Sequence, residues 1–207
     1  MTYHRIIDDM GLDYNALMLL MDMLPEWRRE QALKFRHEVG RRECAMSYRL
    51  LCDMLREHYG IIEQPRFEVG EHGKPVLRFA TPEAADAGAH LHFNLSHCRH
   101  AVACVLSDDG EVGIDVECLG RYKPSLAEYC MSDGELAAIT GAEDADREFT
   151  LLWTRKEALL KLTGEGITDD TKTCLTSGRM LGVRMLSGCE KEKGYAWSVA
   201  MKQTKMI

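Results

Sequence analysis

Two short segments carry the residues best suited to chemistry: Trp153-Thr154-Arg155-Lys156-Glu157-Ala158-Leu159-Leu160-Lys161 and, about forty residues earlier, Gly113-Ile114-Asp115-Val116-Glu117. In a helix, residues four apart share a face, so Trp153, Glu157 and Lys161 form one stripe. In a strand, residues two apart share a face, so Asp115 and Glu117 point the same way. Two carboxylates so placed repel and raise each other's pKa unless a cation joins them. Hard oxygen ligands of this kind suit magnesium, which keeps several waters and completes its shell with substrate phosphate oxygens. Taken alone, Glu157 and Lys161 read as an exposed ion pair one helical turn apart. Trp153 argues for more, because a large aromatic marks the buried side of a helix, and a half-buried pair needs further partners. A metal and a phosphate would supply them. Lys156 lies about a hundred degrees around the helix and would flank such a site.

Further segments could serve the same chemistry. Phe93-Asn94-Leu95-Ser96-His97 ends a strand with a polar pair where a hydroxyl, an imidazole and free backbone N–H groups could meet an anion. Glu71-His72-Gly73-Lys74-Pro75 sets a lysine between a flexible residue and a rigid one. Arg28, Arg29, Lys34, Arg36, Arg41 and Arg42 crowd into fifteen residues and form either a solvated helix face or a phosphate-binding patch. His90, His92, His97 and His100 have no companion cluster to close a tetrahedral zinc site.

These residues need strands and helices to position them. Cys44, Tyr48, Leu51, Leu55 and Tyr59 follow helical spacing, and Gly60 closes a helix of about five turns. Strand formers follow at 66–69, 75–79, 90–95 and 101–106, punctuated by Gly70, Gly73, Gly88 and the turn Ser107-Asp108-Asp109-Gly110. A second half opens with a strand at 112–116. Ser132-Asp133-Gly134-Glu135 reads as a capping box, and a second long helix runs from about Asp146 to Thr163. Strand-like segments follow near 172–175, 180–185 and 195–201. The pattern is α+β used twice, each half one long helix packed on a small, mostly antiparallel sheet. The halves divide as 1–109 and 110–207.

Bulk properties narrow the partners. A chain of 207 residues can bury a substantial core, and a net charge of −7 argues against general nucleic-acid binding. The first nine residues contain no uninterrupted apolar run, and no later run approaches bilayer-spanning length, so a soluble, cytoplasmic protein is expected. The eight cysteines include no C-x-x-C pair and are expected as free thiols.

Four segments in this order, Gly73-Lys74-Pro75, Phe93-Asn94-Leu95-Ser96-His97, Gly113-Ile114-Asp115-Val116-Glu117 and Trp153-x-x-Lys156-Glu157-Ala158-x-x-Lys161, resemble the 4′-phosphopantetheinyl transferases of the surfactin-synthetase-activating type. The resemblance covers roughly residues 25 to 167. It implies that the phosphopantetheine arm of coenzyme A moves to a serine of an apo acyl or peptidyl carrier protein, releasing adenosine 3′,5′-bisphosphate, as in holo-acyl-carrier-protein synthases. It further implies Mg2+ on Asp115, Glu117 and Glu157. Glu157 or a water on the metal would then act as base, and Lys161 would stabilise charge on the pyrophosphate. Coenzyme A would be held by Lys74, Pro75, Ser96, His97, Arg28, Arg42 and Lys156. The fold implied is two similar α+β halves with the active site between them, residues 1–109 binding nucleotide and phosphate and residues 110–207 carrying the metal and catalytic groups, and a monomer is expected. The chain departs from the pattern at Cys98, where the family commonly has serine, and at Trp27 and Gln31, near places where it often has lysines. Two other functions compete. A non-catalytic coenzyme A- or carrier-binding module has no need of the three acids, and a magnesium-dependent phosphohydrolase would place water where the carrier serine would sit.

Overall fold

The computed structural model describes residues 1–70, 73–166 and 169–202. Glu71, His72 and Ile167, which fall in the segments singled out above, lie outside the described residues. Strand β1 (Thr2–Ile7) pairs antiparallel with β5 (Ala101–Ser107), whose other edge carries β4 (His92–Cys98), giving the order β1-β5-β4. The chain's opening residues, read from sequence only for what they lacked, are therefore an edge strand. Tyr3 and Ile7 enter one core and Ile6 the other, the period-two alternation of a strand.

Every residue of β5 is buried. One face, Val102, Cys104 and Leu106, lies beneath helix α3 (Glu38–Tyr59), while the other, Ala101, Ala103 and Val105, meets the second half of the molecule. A strand covered on both faces reads as a continuous apolar run, and Ala101-Val102-Ala103-Cys104-Val105-Leu106 is one. Helix α3 starts six residues before the periodic stretch that begins at Cys44 and stops at Gly60, whose φ of 68° makes the left-handed cap. Helices α1 (Tyr14–Asp22) and α2 (Glu26–Leu33) bury Leu17, Met21 and Ala32 against Ala45 and Tyr48 of α3. A hairpin of β2 (Arg66–Val69) and β3 (Pro75–Arg78) and the short α4 (Pro82–Gly88) complete this half.

The second half repeats the scheme. β6 (Val112–Cys118) pairs with β8 (Tyr195–Lys202), and β8 with β7 (Val183–Glu190), all antiparallel. Helices α5 (Pro124–Cys130) and α6 (Asp133–Gly141) precede the long α7 (Ala145–Thr163), which crosses this sheet. The expected capping box forms: Ser132 Oγ accepts from Glu135 N, and Glu135 Oε2 accepts from Ser132 N at 2.7 Å. The strand expected at 172–175 does not form. Asp169–Thr173 is a 3-10 turn whose Thr171 and Lys172 carbonyls accept hydrogen bonds from Lys156 Nζ rather than from a strand partner. The strand expected at 180–185 begins instead at Val183, after a second 3-10 turn at Gly178–Met180.

The sheets meet where β4 runs alongside β6. Asn94 Oδ1 accepts from Ile114 N at 3.0 Å and Ser96 Oγ from Val116 N at 3.2 Å, so side chains take the place of a backbone ladder. Both contacts join residues twenty positions apart, and the strands run in the same direction. On the far side of β6, Gly113 lies against α7. A Cβ at this position would overlap the Ala158 carbonyl and the Leu162 backbone, so glycine sets how closely strand and helix approach. No helix among the described residues is long and apolar enough to cross a membrane.

Candidate active site

Val112, Ile114 and Val116 of β6 face the core between the sheets, which leaves Gly113, Asp115 and Glu117 facing α7. Asp115 is 3% exposed. Its Oδ1 accepts from Lys161 Nζ at 2.7 Å and from Ser96 Oγ at 2.9 Å, and Lys161 also donates to Ser96 at 3.0 Å. One residue from β4, one from β6 and one from α7 thus close a triangle at the junction of the halves. Asp115 Oδ2 is buried and has no hydrogen-bond partner. A lone acceptor of this kind costs about 1–3 kcal/mol unless a ligand meets it.

Glu157 and Glu117 flank this centre. Burial, then the neighbouring Asp115 charge, raises the pKa of both carboxyls above the usual glutamate value. Arg121 Nη1 contacts Glu117 Oε2 at 2.8 Å and offsets part of that repulsion. The stripe on α7 runs between two cavities. Glu157 and Lys161 line one of about 200 Å³ with Gly73, Lys74, Pro75 and Asn94. Trp153 lines the other, about 190 Å³, with Glu117, Cys118, Arg121 and Phe149. The carboxylates predicted to act together are near enough to feel one another's charge, but Glu117 and Glu157 border different cavities, and the expected Lys74-Pro75 loop lies beside Glu157.

The remaining predicted residues divide. Lys74 borders the cleft, but its ammonium donates to Glu111, the Val112 carbonyl at 3.0 Å and the Leu162 carbonyl at 3.2 Å. It ties the hairpin to β6 and to the end of α7. His97 is exposed at the end of β4, with Nδ1 3.2 Å from Glu43 Oε2. Three expected coenzyme contacts do not reach the cleft. Lys156 has no exposed surface: its ammonium pairs with Glu135 at 2.9 Å and holds two carbonyls of the following turn. Arg28, 7% exposed, lies against Trp27, Tyr48 and Phe67 and donates to Gln31 and the Cys44 carbonyl, which makes it part of the core. Arg42 is held by the Met10 carbonyl at 2.8 Å and Glu38 at 2.6 Å. Its position on a basic stretch gave no sign of these partners.

The family model described as the 4′-phosphopantetheinyl transferase superfamily matches residues 111–205, the half that holds all three acids. The 4′-phosphopantetheinyl transferase psf-1 of Bacillus pumilus is 35% identical over 144 residues, 68% of this chain and 58% of that protein. The 4′-phosphopantetheinyl transferase AcpT of Salmonella typhi is 42% identical over 105 residues, 48% of this chain and 50% of its own length. The chain belongs to the 4′-phosphopantetheinyl transferase superfamily. A third member, Sfp of Bacillus subtilis, is 27% identical over 172 residues, 81% of this chain and 72% of that protein. The chain thus spans between half and two thirds of the first two relatives and more of the third.

The α+β arrangement of two halves agrees with membership of this superfamily. Within it, the geometry adds residues that the sequence reading did not assign to the site. Asn94 lines the cleft and holds β6 in place, Glu111 restrains Lys74, and Arg121 restrains Glu117. Asn94 sits inside a quoted motif and could have been found there. Glu111 immediately precedes the β6 strand, but only the fold shows that it meets Lys74. Among the described residues no cluster of three His, Cys, Asp or Glu side chains is drawn tightly enough to hold a metal ion by itself. Asp115, Glu117 and Glu157 carry hard oxygen donors, the kind that magnesium takes.

Proposed function

We propose that this chain transfers the 4′-phosphopantetheine arm of coenzyme A to a serine of an apo acyl or peptidyl carrier protein, releasing adenosine 3′,5′-bisphosphate, as the surfactin-synthetase-activating and holo-acyl-carrier-protein synthase enzymes do. The observation that carries this reading is the unpartnered, buried Oδ2 of Asp115, set between two carboxyls whose charges burial already disfavours. Such an arrangement is costly without a cation, and the adjoining lysines and backbone suit a polyphosphate. Asp115, Glu117 and Glu157 would hold Mg2+. Bound there, the ion would gather the pyrophosphate oxygens and neutralise charge as the phosphoanhydride breaks.

The chain's own groups account for the rest. Lys161 is held by Asp115 and Ser96 at the cleft wall, and its ammonium would meet charge growing on the departing nucleotide. Glu157 faces the cleft beside Lys161 and would take the proton from the carrier serine as its oxygen attacks the β-phosphorus. Lys74 fixes the direction of the Gly73-Lys74-Pro75 loop, leaving that loop's backbone and Pro75 to border the nucleotide. His97, exposed near the end of β4 and paired with Glu43, would have to leave that carboxylate to meet a phosphate.

The test is incubation with coenzyme A, Mg2+ and several apo-carrier proteins, with mass spectrometry of the carrier. The expected result is the mass of one phosphopantetheine on a serine, absent in Asp115→Ala and Glu157→Gln, with both variants keeping the wild-type circular dichroism spectrum. Coenzyme A breakdown without a carrier would point to a hydrolase. Full transfer by either variant would overturn the residue assignment.

A further inference from the structure

The β4–β6 contact does not end at Ser96. Asn94 meets Ile114 and Ser96 meets Val116, each twenty residues apart, and the next pair in this register is Cys98 and Cys118. Both side chains lie in the core between the two sheets, Cys98 within it and Cys118 packed against it. Other cysteines face different groups: Cys104 and Cys130 donate to the Val105 and Leu126 carbonyls. The Ser96 hydroxyl lies two bonds from its Cα and accepts across 3.2 Å from a nitrogen one bond from the Val116 Cα, which keeps those Cα atoms within roughly 7 Å. The same spacing carried one pair further is within reach of a disulfide.

The two thiols differ in access. Cys118 lines the cavity shared by Glu117, Arg121, Phe149 and Trp153, whereas Cys98 is 8% exposed and lies behind it. We propose that Cys98 and Cys118 form an oxidant-responsive thiol pair: a hydroperoxide entering the cavity oxidises Cys118, and Cys98 resolves it to a reversible disulfide joining β4 to β6. The Cys118 sulfur attacks the outer peroxide oxygen and breaks the O–O bond. Cys118 becomes a sulfenic acid and the peroxide leaves as an alcohol, or as water from hydrogen peroxide. The Cys98 sulfur then attacks the sulfenic sulfur, the S–S bond forms and a second water departs, so two electrons pass from the thiols to the peroxide. A dithiol reductant reverses the step by exchange. The bond would fasten the two halves of the molecule together one residue from Glu117, and it does not depend on the transfer activity proposed above.

The experiment treats the reduced, full-length chain with a modest excess of hydrogen peroxide, then measures intact mass and maps peptides without reduction. The expected product has lost two hydrogens, shows a cross-link between the Cys98 and Cys118 peptides, and returns to the starting mass with dithiothreitol. In Cys98→Ser, Cys118 should stop at a sulfenic acid that a cyclic 1,3-diketone traps. In Cys118→Ser, Cys98 should stay reduced. An unchanged wild-type mass, a cross-link between other cysteines, or Cys118 passing to the sulfinic acid without a cross-link would each overturn the proposal. The wild-type peptide map decides the matter even where a serine variant folds poorly.

Discussion

Lys156 shows how one residue can fit a motif and still serve another purpose. The helical wheel correctly turns it away from Glu157, but what lies on that side, Glu135 and the 171–172 carbonyls, comes from segments that the wheel does not describe. Glu135 accepts from the Ser132 backbone as well, so one carboxylate caps α6 and neutralises a lysine on α7. Removing a partner from a buried pair leaves a charge unmet, at a cost of about 3–5 kcal/mol. Lys156→Ala should therefore lower the free energy of urea unfolding by roughly that amount, while Lys156→Met, which keeps the packing, should cost less. An unfolding midpoint equal to wild type for the alanine variant would show that the pair is dispensable. That Asp115, Glu117, Glu157 and Lys161 would lie near one another was legible at this scale, because residues two apart on a strand and four apart on a helix share a face. Arg28 and Arg42 were not, since a count of basic residues cannot tell a guanidinium stacked on three aromatic rings from one turned to solvent.

At the scale of elements, the site depends on the close approach of β6 to α7, which Gly113 permits. An added methyl group must push the two apart, and overpacking of this kind costs about 1–3 kcal/mol. Gly113→Ala should accordingly reduce stability by that order, and should reduce transfer well beyond it, because it separates Asp115 from Lys161 without removing either. The comparison is between the loss in kcat/KM and the loss in unfolding free energy. Equal wild-type transfer would rule out the spacing argument. Most of these elements were legible: α3 and α7 from helical spacing, the strands from β2 to β6 from runs of strand formers, and Gly60 as the end of α3. β1 went unread because its pattern becomes a strand only beside β5. The 172–175 segment has strand-like composition, yet its start belongs to a 3-10 turn whose Thr171 and Lys172 carbonyls accept from Lys156.

For the whole molecule, the two halves are joined by charge as well as by apolar packing. Glu111 meets both His92 on β4 and Lys74 at the hairpin, and these contacts, His92 first, pull its carboxyl from the usual 4.5 down to about 2. A carboxyl lowered on folding stabilises the fold above its unfolded value and loses that contribution as the pH falls towards the folded value. The contribution of Glu111 is thus complete above about pH 4.5 and fades between there and about pH 2. Glu111→Gln should destabilise the protein near neutral pH and narrow the gap between denaturation midpoints measured at pH 7 and pH 3. An unchanged gap would mean that the network carries no pH-dependent stability.

The side-chain bridge between β4 and β6 has one further consequence. An asparagine amide reaches one bond further than a serine hydroxyl, and the longer bridge stands at the Asn94 end, where that residue lines the cleft. The two strands are therefore bridged by spacers of unequal length, the longer at the cleft and the shorter towards the cysteines. The contact between the halves thus rests on the choice of two polar residues, and exchanging them would change how β4 meets β6 without touching the backbone pairing inside either sheet.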